Sequence, residues 1–347
     1  MTRSLVFAYP GDLTLKTGGY GYDRAVVAGL KSLGWDVQLL ALGDGFPAPS
    51  TDTRRDAEAR LSALSDGALV LIDGLAFGVL DDWAMRERSR LKIVALVHHP
   101  LALETGLSPT DQERLTNSER RALSATRHVI VTSQMTAREV ADRFEIAAER
   151  ITTAIPGTAR GLPSTASGQP PHIVSIGTLT RRKGHDVLVS ALKKIEDLDW
   201  TASIIGSRRL DPEISRQIEA QIATLGLADR IALCGEVDDT ATALAGADIF
   251  ALASRYEGYG MVFAEALTQG LPIVACHAGA VPEVVPADAG ILVPVDDPSA
   301  FAAALRRLLT DEPGRAARAE ASARAGSALP RWDDTSRTIS NALETVR

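Results

Sequence analysis

The chain has 347 residues, a formal net charge of −7, 45% hydrophobic and 23% charged residues; that length allows two domains of about 150 residues each, with the composition of a globular protein. The acidic balance argues against a general nucleic-acid binder, which needs a basic stripe to neutralise phosphates. Two cysteines, Cys234 in IALCGE and Cys276 in PIVACHA, exclude a disulfide framework and a cysteine metal pair, and both read as core residues.

In chain order, short β-rich runs alternate with longer helical ones. SLVFAYP predicts the first strand, and the early Pro-Gly after it argues against a signal peptide. No apolar run approaches the ~18 residues of a membrane span, so a cytoplasmic protein without an integral membrane segment is expected. GYDRAVVAGLKSLG predicts a helix ending at Gly34. Strand DVQLLAL, helix TRRDAEARLSALS and strands ALVLIDG and LKIVALVHH follow. A polar helix is predicted over 109–125, then strand HVIVTS and helix MTAREVADRF. RGLPSTASGQPP, residues 160–171, is a Gly/Ser/Pro-rich break and reads as a linker. A second series runs through strand HIVSIGTLT, helix GHDVLVSALKKI, strand TASIIGS, helix DPEISRQIEAQIATLG, strand IALCGE and helix TATALAGA. Strand IFALAS, helix GMVFAEALTQG, strands PIVACHA and GILVPV and helix PSAFAAALRRLL continue it. RWDDTSRTISNALETVR predicts a last helix with Asp333 or Asp334 near its cap.

Nearly continuous apolar strands suit parallel pairing with both faces covered. The fold class expected is α/β, with two doubly wound, Rossmann-like parallel-sheet domains facing each other across a cleft. The first is placed at residues 1–160 and the second at 171–326, with a helix over 327–347.

In such sheets ligands bind outside the carboxyl ends of the strands, and four segments qualify. Thr17-Gly18-Gly19-Tyr20-Gly21-Tyr22 begins a G-x-G pattern, but Arg24 stands where a dinucleotide fingerprint has its third glycine. Asp44 could be the ribose acid of such a site, yet the half-match leaves a flexible glycine-rich loop or an ordinary turn. His98-His99-Pro100 ends a strand. Adjacent histidines point to opposite faces and no third ligand is evident, so a polar contact to substrate is favoured over a metal. Arg181-Arg182-Lys183-Gly184 stands between a strand and a helix. Cations at a helix N-terminus suit a diphosphate; a solvated basic turn is the plain alternative. SRYEGYGMVFAEAL, residues 254–267, puts Glu257 on a strand–helix loop and Glu265 inside the helix. Gly258 and Gly260 let backbone amides approach a ligand. Carboxylates accept hydrogen bonds in pairs, as vicinal sugar hydroxyls donate them. The alternative is a wet helix face of Glu265, Thr268 and Gln269. The 114–127 segment has four arginines beside Glu113 and Glu119, a weak case for a membrane patch.

These residues match a known pattern. EGYGMVFAE, with Glu257 and Glu265 at its ends, resembles the E-x7-E motif of the retaining GT-B glycosyltransferases of family 4. GTLTRRKGHDVLVSAL is similar to that family's phosphate-binding segment, and GLPIVACHAGAVPEVV to the segment after the motif. The resemblance extends over nearly the whole chain. It implies transfer of a hexose from a nucleoside-diphosphate sugar, of UDP or GDP type, to the hydroxyl of a small-molecule or glycan acceptor. Retention of anomeric configuration is implied, with no metal or other cofactor, and the expectation is of a chain without an Asp-x-Asp metal motif. Glu257 would contact the donor sugar, the backbone of Gly258, Tyr259 and Gly260 the sugar and distal phosphate, and Glu265 the ribose. Arg182 and Lys183 would neutralise the diphosphate, with Gly18 and Gly19 nearby and His98 against the transferred sugar. The base would be met by backbone near Glu236 and Val237, and the last helix would pack back on the N-terminal domain. Thr178 follows Gly177 where many relatives carry arginine, so Arg181 or Arg182 is expected to supply that charge. A nucleotide-sugar epimerase, a non-catalytic sugar-binding protein and, least of all, a nicotinamide dehydrogenase are the alternatives.

Overall fold

The computed structural model describes residues 3–165 and 169–346; residues 166–168 of the expected linker lie outside the described residues. The chain divides into two compact units. One is Met1–Gly157 with Pro330–Arg347, the other Thr158–Leu329. Each is built on a six-stranded sheet in which every paired strand runs parallel, which is the α/β class expected.

The first sheet holds β1 (Arg3–Tyr9), β2 (Trp35–Ala41), β3 (Leu69–Asp73), β4 (Lys92–Val97), β5 (His128–Val131) and β6 (Ile151–Thr153), in the order β2-β1-β3-β4-β5-β6. Helices cover both faces, so β3 and β5 are buried at every position and read as unbroken apolar runs. The Gly18–Ser32 helix starts at once after Thr17, whose Oγ1 accepts from the amide of Tyr20 at 3.3 Å. Tyr22, Val26, Val27 and Leu30 give this helix its buried stripe. Gly18 and Gly19, expected in a flexible loop, are therefore its first turn; the threonine cap and the stripe outweigh the glycines. The Trp332–Val346 helix lies against the same unit. Trp332 meets the Tyr22 ring edge-on, with centroids 5.7 Å apart, and Ser340 Oγ accepts from the Trp35 indole at 2.9 Å.

The second sheet holds β7 (His172–Ile176), β8 (Thr201–Ile205), β9 (Ile231–Gly235), β10 (Ile249–Leu252), β11 (Ile273–Cys276) and β12 (Gly290–Val293), in the order β12-β11-β10-β7-β8-β9. Successive residues of its strands feed opposite faces. Ile173, Ile249 and Ala251 join a core with Trp200, Leu192 and Phe301, while Val174, Phe250 and Leu252 join one with Phe263, Leu267 and Ile273. The first linker residues are tied to this unit, Ser164 donating from N to Gln269 O at 2.8 Å and from Oγ to Ala247 O at 2.7 Å.

One expectation about the cysteines is corrected. Cys276 is buried, but Cys234 is exposed, because β9 is the edge strand. The sequence patterns also gave no sign of the Gly74–Phe77, Asp81–Glu87 and Glu312–Ala328 helices or of β6. The Glu312–Ala328 helix buries Ala321, Ser322 and Gly326, a face too small to give an apolar period.

The strand order places the loops. In the first sheet it reverses between β1 and β3, and in the second between β7 and β10. Connections leaving the carboxyl ends of such neighbours diverge and open a crevice.

Candidate functional site

In the second unit, β7 leads to a 3₁₀ turn, Arg181–Lys183, and then to the His185–Lys193 helix. Its neighbour β10 leads through residues 254–260 to the Met261–Thr268 helix. Segments 74 residues apart thus meet. Lys183 Nζ donates to Glu257 Oε1 at 2.6 Å, and Ser254 Oγ donates to the same oxygen at 2.6 Å. Arg182 donates to the Tyr256 carbonyl at 3.1 Å and reaches Glu257 Oε2 at 3.5 Å. Glu257 is only 5% exposed. Burial pushes its pKa up, but Lys183 and Arg182 pull it further down, so it stays ionised below the usual range. Arg182 is thus the arginine that joins Lys183 here, and Arg181 is exposed.

The segment after the motif supports Glu257 from below. The Ala280 amide donates to the Glu257 carbonyl at 2.9 Å. Gly279, at φ +53°, lies so close that a β-carbon would fall 2.2 Å from the Glu257 oxygen. Only glycine allows that approach.

Glu265 sits in the second turn of the Met261–Thr268 helix, which no side chain caps at its N-terminus. Burial pushes its carboxyl up to about 7, and among the described residues no cation pairs with it. Gln269 is buried and donates to the Ala241 carbonyl at 3.1 Å, so this side of the helix is no wet face. Tyr259 is buried, and burial raises its phenol to about 12. Glu236 and Val237 follow β9 at the same end of the sheet, two strands from β7.

In the first unit the strand-end groups converge as well. His98, just past β4, has Nε2 at 3.1 Å from Asp23 Oδ1 on the Gly18–Ser32 helix and at 3.5 Å from Asp73 Oδ2 at the end of β3. Both carboxylates are buried; the His98 side chain is 20% exposed. Burial lowers the imidazole pKa, but Asp23 and Asp73 outweigh it and raise it to about 10. Burial, then the charge of Asp73, pushes Asp23 up. Tyr22 lies edge-on to the imidazole, centroids 5.3 Å apart. The expectation that no third ligand accompanies the His98-His99 pair is corrected for His98, since possible ligand atoms of Asp23, Asp73 and His98 lie within 4.8 Å of one another. Asp23 and Asp73 were missed in the sequence; Asp73 ends β3, and Asp23 lies in the helix that follows β1, the neighbour of β3.

Other acidic and basic segments resolve into local pairs. Arg114 pairs with Asp111, Arg121 with Asp81 and Asp82, and Arg120 donates to the Arg143 carbonyl, which leaves little of a basic membrane patch. No helix among the described residues is long and apolar enough to cross a membrane. The expectation of no Asp-x-Asp motif is corrected: the run Asp197-Leu198-Asp199 precedes β8, at the opposite end of the sheet from the site, where Asp197 pairs with Arg306 at 2.6 Å.

Residues 170–311 match the family model described as Glycosyl transferases group 1. D-inositol 3-phosphate glycosyltransferase of Xylanimonas cellulosilytica is 30% identical over 277 residues, 73% of this chain. The chain covers 66% of that protein, just under two thirds of its length. Among solved structures, sucrose-phosphate synthase from Thermosynechococcus elongatus superposes with a TM-score of 0.84 at 20% identity, over 99% of this chain and 98% of its own. Anabaena HepE in complex with UDP-glucose gives a TM-score of 0.78 at 17% identity, over 98% and 99%. These structural likenesses show the fold, which is GT-B: two α/β units, each built on a parallel sheet.

Proposed function

We propose that this chain is a retaining glycosyltransferase of family 4, moving a hexose from a nucleoside-diphosphate sugar to an acceptor hydroxyl without need of a metal ion. The observation that carries the reading is the Lys183–Glu257–Arg182 cluster at the β7/β10 reversal, before a helix N-terminus that no side chain caps. Breaking the anomeric bond leaves negative charge on the diphosphate. Arg182, Lys183 and the positive end of the Met261–Thr268 helix stand where that charge develops, and stabilisation there lowers the barrier most. Glu257 is fixed as an ionised acceptor for sugar hydroxyls, and Glu265 as an acceptor for the paired hydroxyls of the ribose. The backbone of Gly258, Tyr259 and Gly260 takes the sugar and distal phosphate, and backbone near Glu236 and Val237 takes the base. The same reading assigns His98, Gly18 and Gly19 to the transferred sugar and its diphosphate. Retention follows from attack on the face the diphosphate leaves, with its oxygen taking the acceptor proton.

Calorimetric titration with UDP- and GDP-sugars tests this. One of them is expected to bind. Its affinity should fall by up to about tenfold per pH unit below 7, because Glu265, with its carboxyl raised to about 7, loses its acceptor charge there. Glu265→Gln should flatten that dependence. Binding of neither sugar nucleotide, or conversion of the bound sugar to an epimer with no acceptor present, would contradict the reading.

A further inference from the structure

We propose that Arg255 is a positioning residue, which locks the cationic turn Arg181–Lys183 in the posture that meets a diphosphate; this rests on the function proposed above. Arg255 lies two residues before Glu257, yet its side chain turns away from that carboxylate. Its amide donates to the Arg182 carbonyl at 2.8 Å. Its Nη1 donates to the Arg181 carbonyl at 2.5 Å. The guanidinium forks onto Asp186, at 3.0 and 2.7 Å, and its Nε donates to Asp296 at 2.7 Å. Backbone and side chain together therefore hold two consecutive carbonyls of the turn.

The turn needs such a clamp. It is a single 3₁₀ turn with no side-chain cap, and it carries three adjacent positive charges that repel one another. Its far end is pinned by close packing: Gly184 has φ +65°, and a β-carbon there would fall 2.0 Å from the Ala253 carbonyl oxygen at the end of β10. Arg255 restrains the rest. Its side chain is only 14% exposed, and its own charge is absorbed by Asp186 and Asp296. Arg255 thus acts on an anion through Arg182 and Lys183 rather than by touching it. Lysine cannot replace it, because a point charge does not supply a planar fork that reaches two carboxylates and a carbonyl at once.

The test uses the whole chain with Arg255→Ala, Arg255→Lys and, as a stability control, Arg306→Ala, which removes a forked ion pair at the other end of the sheet. Hydrogen exchange at residues 181–184 is read without ligand, and affinity is read by calorimetry with UDP, GDP, UMP and GMP as probes. Exchange in the turn should quicken about tenfold in Arg255→Ala. Whichever diphosphate binds the parent should bind about tenfold more weakly, while its monophosphate changes less than about twofold. Arg255→Lys should show most of both losses, and Arg306→Ala neither. Unchanged exchange in both Arg255 variants overturns the inference, as does faster exchange with unchanged diphosphate affinity, or full rescue by lysine. A parent protein that binds neither UDP nor GDP sinks the proposed function instead, and the exchange measurement still decides whether Arg255 holds the turn.

Discussion

Lys183→Ala is expected to weaken diphosphate binding and to lower kcat/KM by about a hundredfold, close to 3 kcal/mol of lost stabilisation, and to destabilise the second unit as well. The two losses share one cause. Lys183 is 14% exposed and makes a 2.6 Å contact with a carboxylate that is itself nearly inaccessible. Removing one partner of a buried pair leaves the other charge stranded, at a cost of about 3–5 kcal/mol. Arg182 at 3.5 Å and Ser254 at 2.6 Å remain on Glu257, which places the stability loss at the low end. The pH dependence follows by sign. The folded protein holds Glu257 below its ordinary pKa, so its contribution is present above the ordinary carboxylate value and is lost as pH falls through the depressed one. The variant should therefore flatten the acid side of the stability profile. In a double-mutant cycle, Glu257→Gln should make Lys183→Ala much less costly. Urea denaturation and diphosphate titration check both halves; wild-type values in both would remove Lys183 from the site.

His98→Ala should destabilise the first unit by about 3 kcal/mol at pH 8, the cost of stranding buried charge, and by less at about pH 10, where the imidazole gives up its proton. In the native unit Asp23 and Asp73 raise the imidazole pKa from 6.5 to about 10. A group raised in this way contributes stability that is fully present below 6.5 and is lost as pH rises through about 10. Without the imidazolium, two buried carboxylates face each other. Asp23, already pushed up by burial and by Asp73, escapes that repulsion at low pH by taking a proton. Asp23→Asn in the His98→Ala background should then recover a good part of the loss at pH 8. Denaturation of the single and double variants at the two pH values measures this. An equal loss at both pH values, with no recovery in the double variant, would show that the imidazole is neutral and serves packing alone.

Both predictions concern groups that the sequence placed far apart. The alternation of apolar runs made the parallel α/β class legible, because strands covered on both faces leave near-continuous hydrophobic segments. The Glu257–Glu265 spacing and the Arg182-Lys183 turn were legible as motifs. Their meeting was not, since a contact across 74 residues depends on β7 and β10 being neighbours. The Asp23–Asp73–His98 group stayed hidden for the same reason, its members lying in a helix, at the end of β3 and just past β4. Gly18 and Gly19 misled, because glycine content suggests a loop while a threonine cap and a buried stripe five residues on decide for helix. Arg255 was passed over because its role lies in two backbone carbonyls, which leave no trace in side-chain spacing.

The central claim is that the cluster around Lys183 and Glu257 receives a nucleoside-diphosphate sugar. A crystal structure of the protein with the UDP- or GDP-sugar that binds tests it most directly. The account predicts the diphosphate within hydrogen-bonding reach of Arg182 and Lys183, sugar hydroxyls on the Glu257 carboxylate and ribose hydroxyls on Glu265. A nucleotide bound elsewhere, with Lys183 and Glu257 still closed on each other, would contradict it.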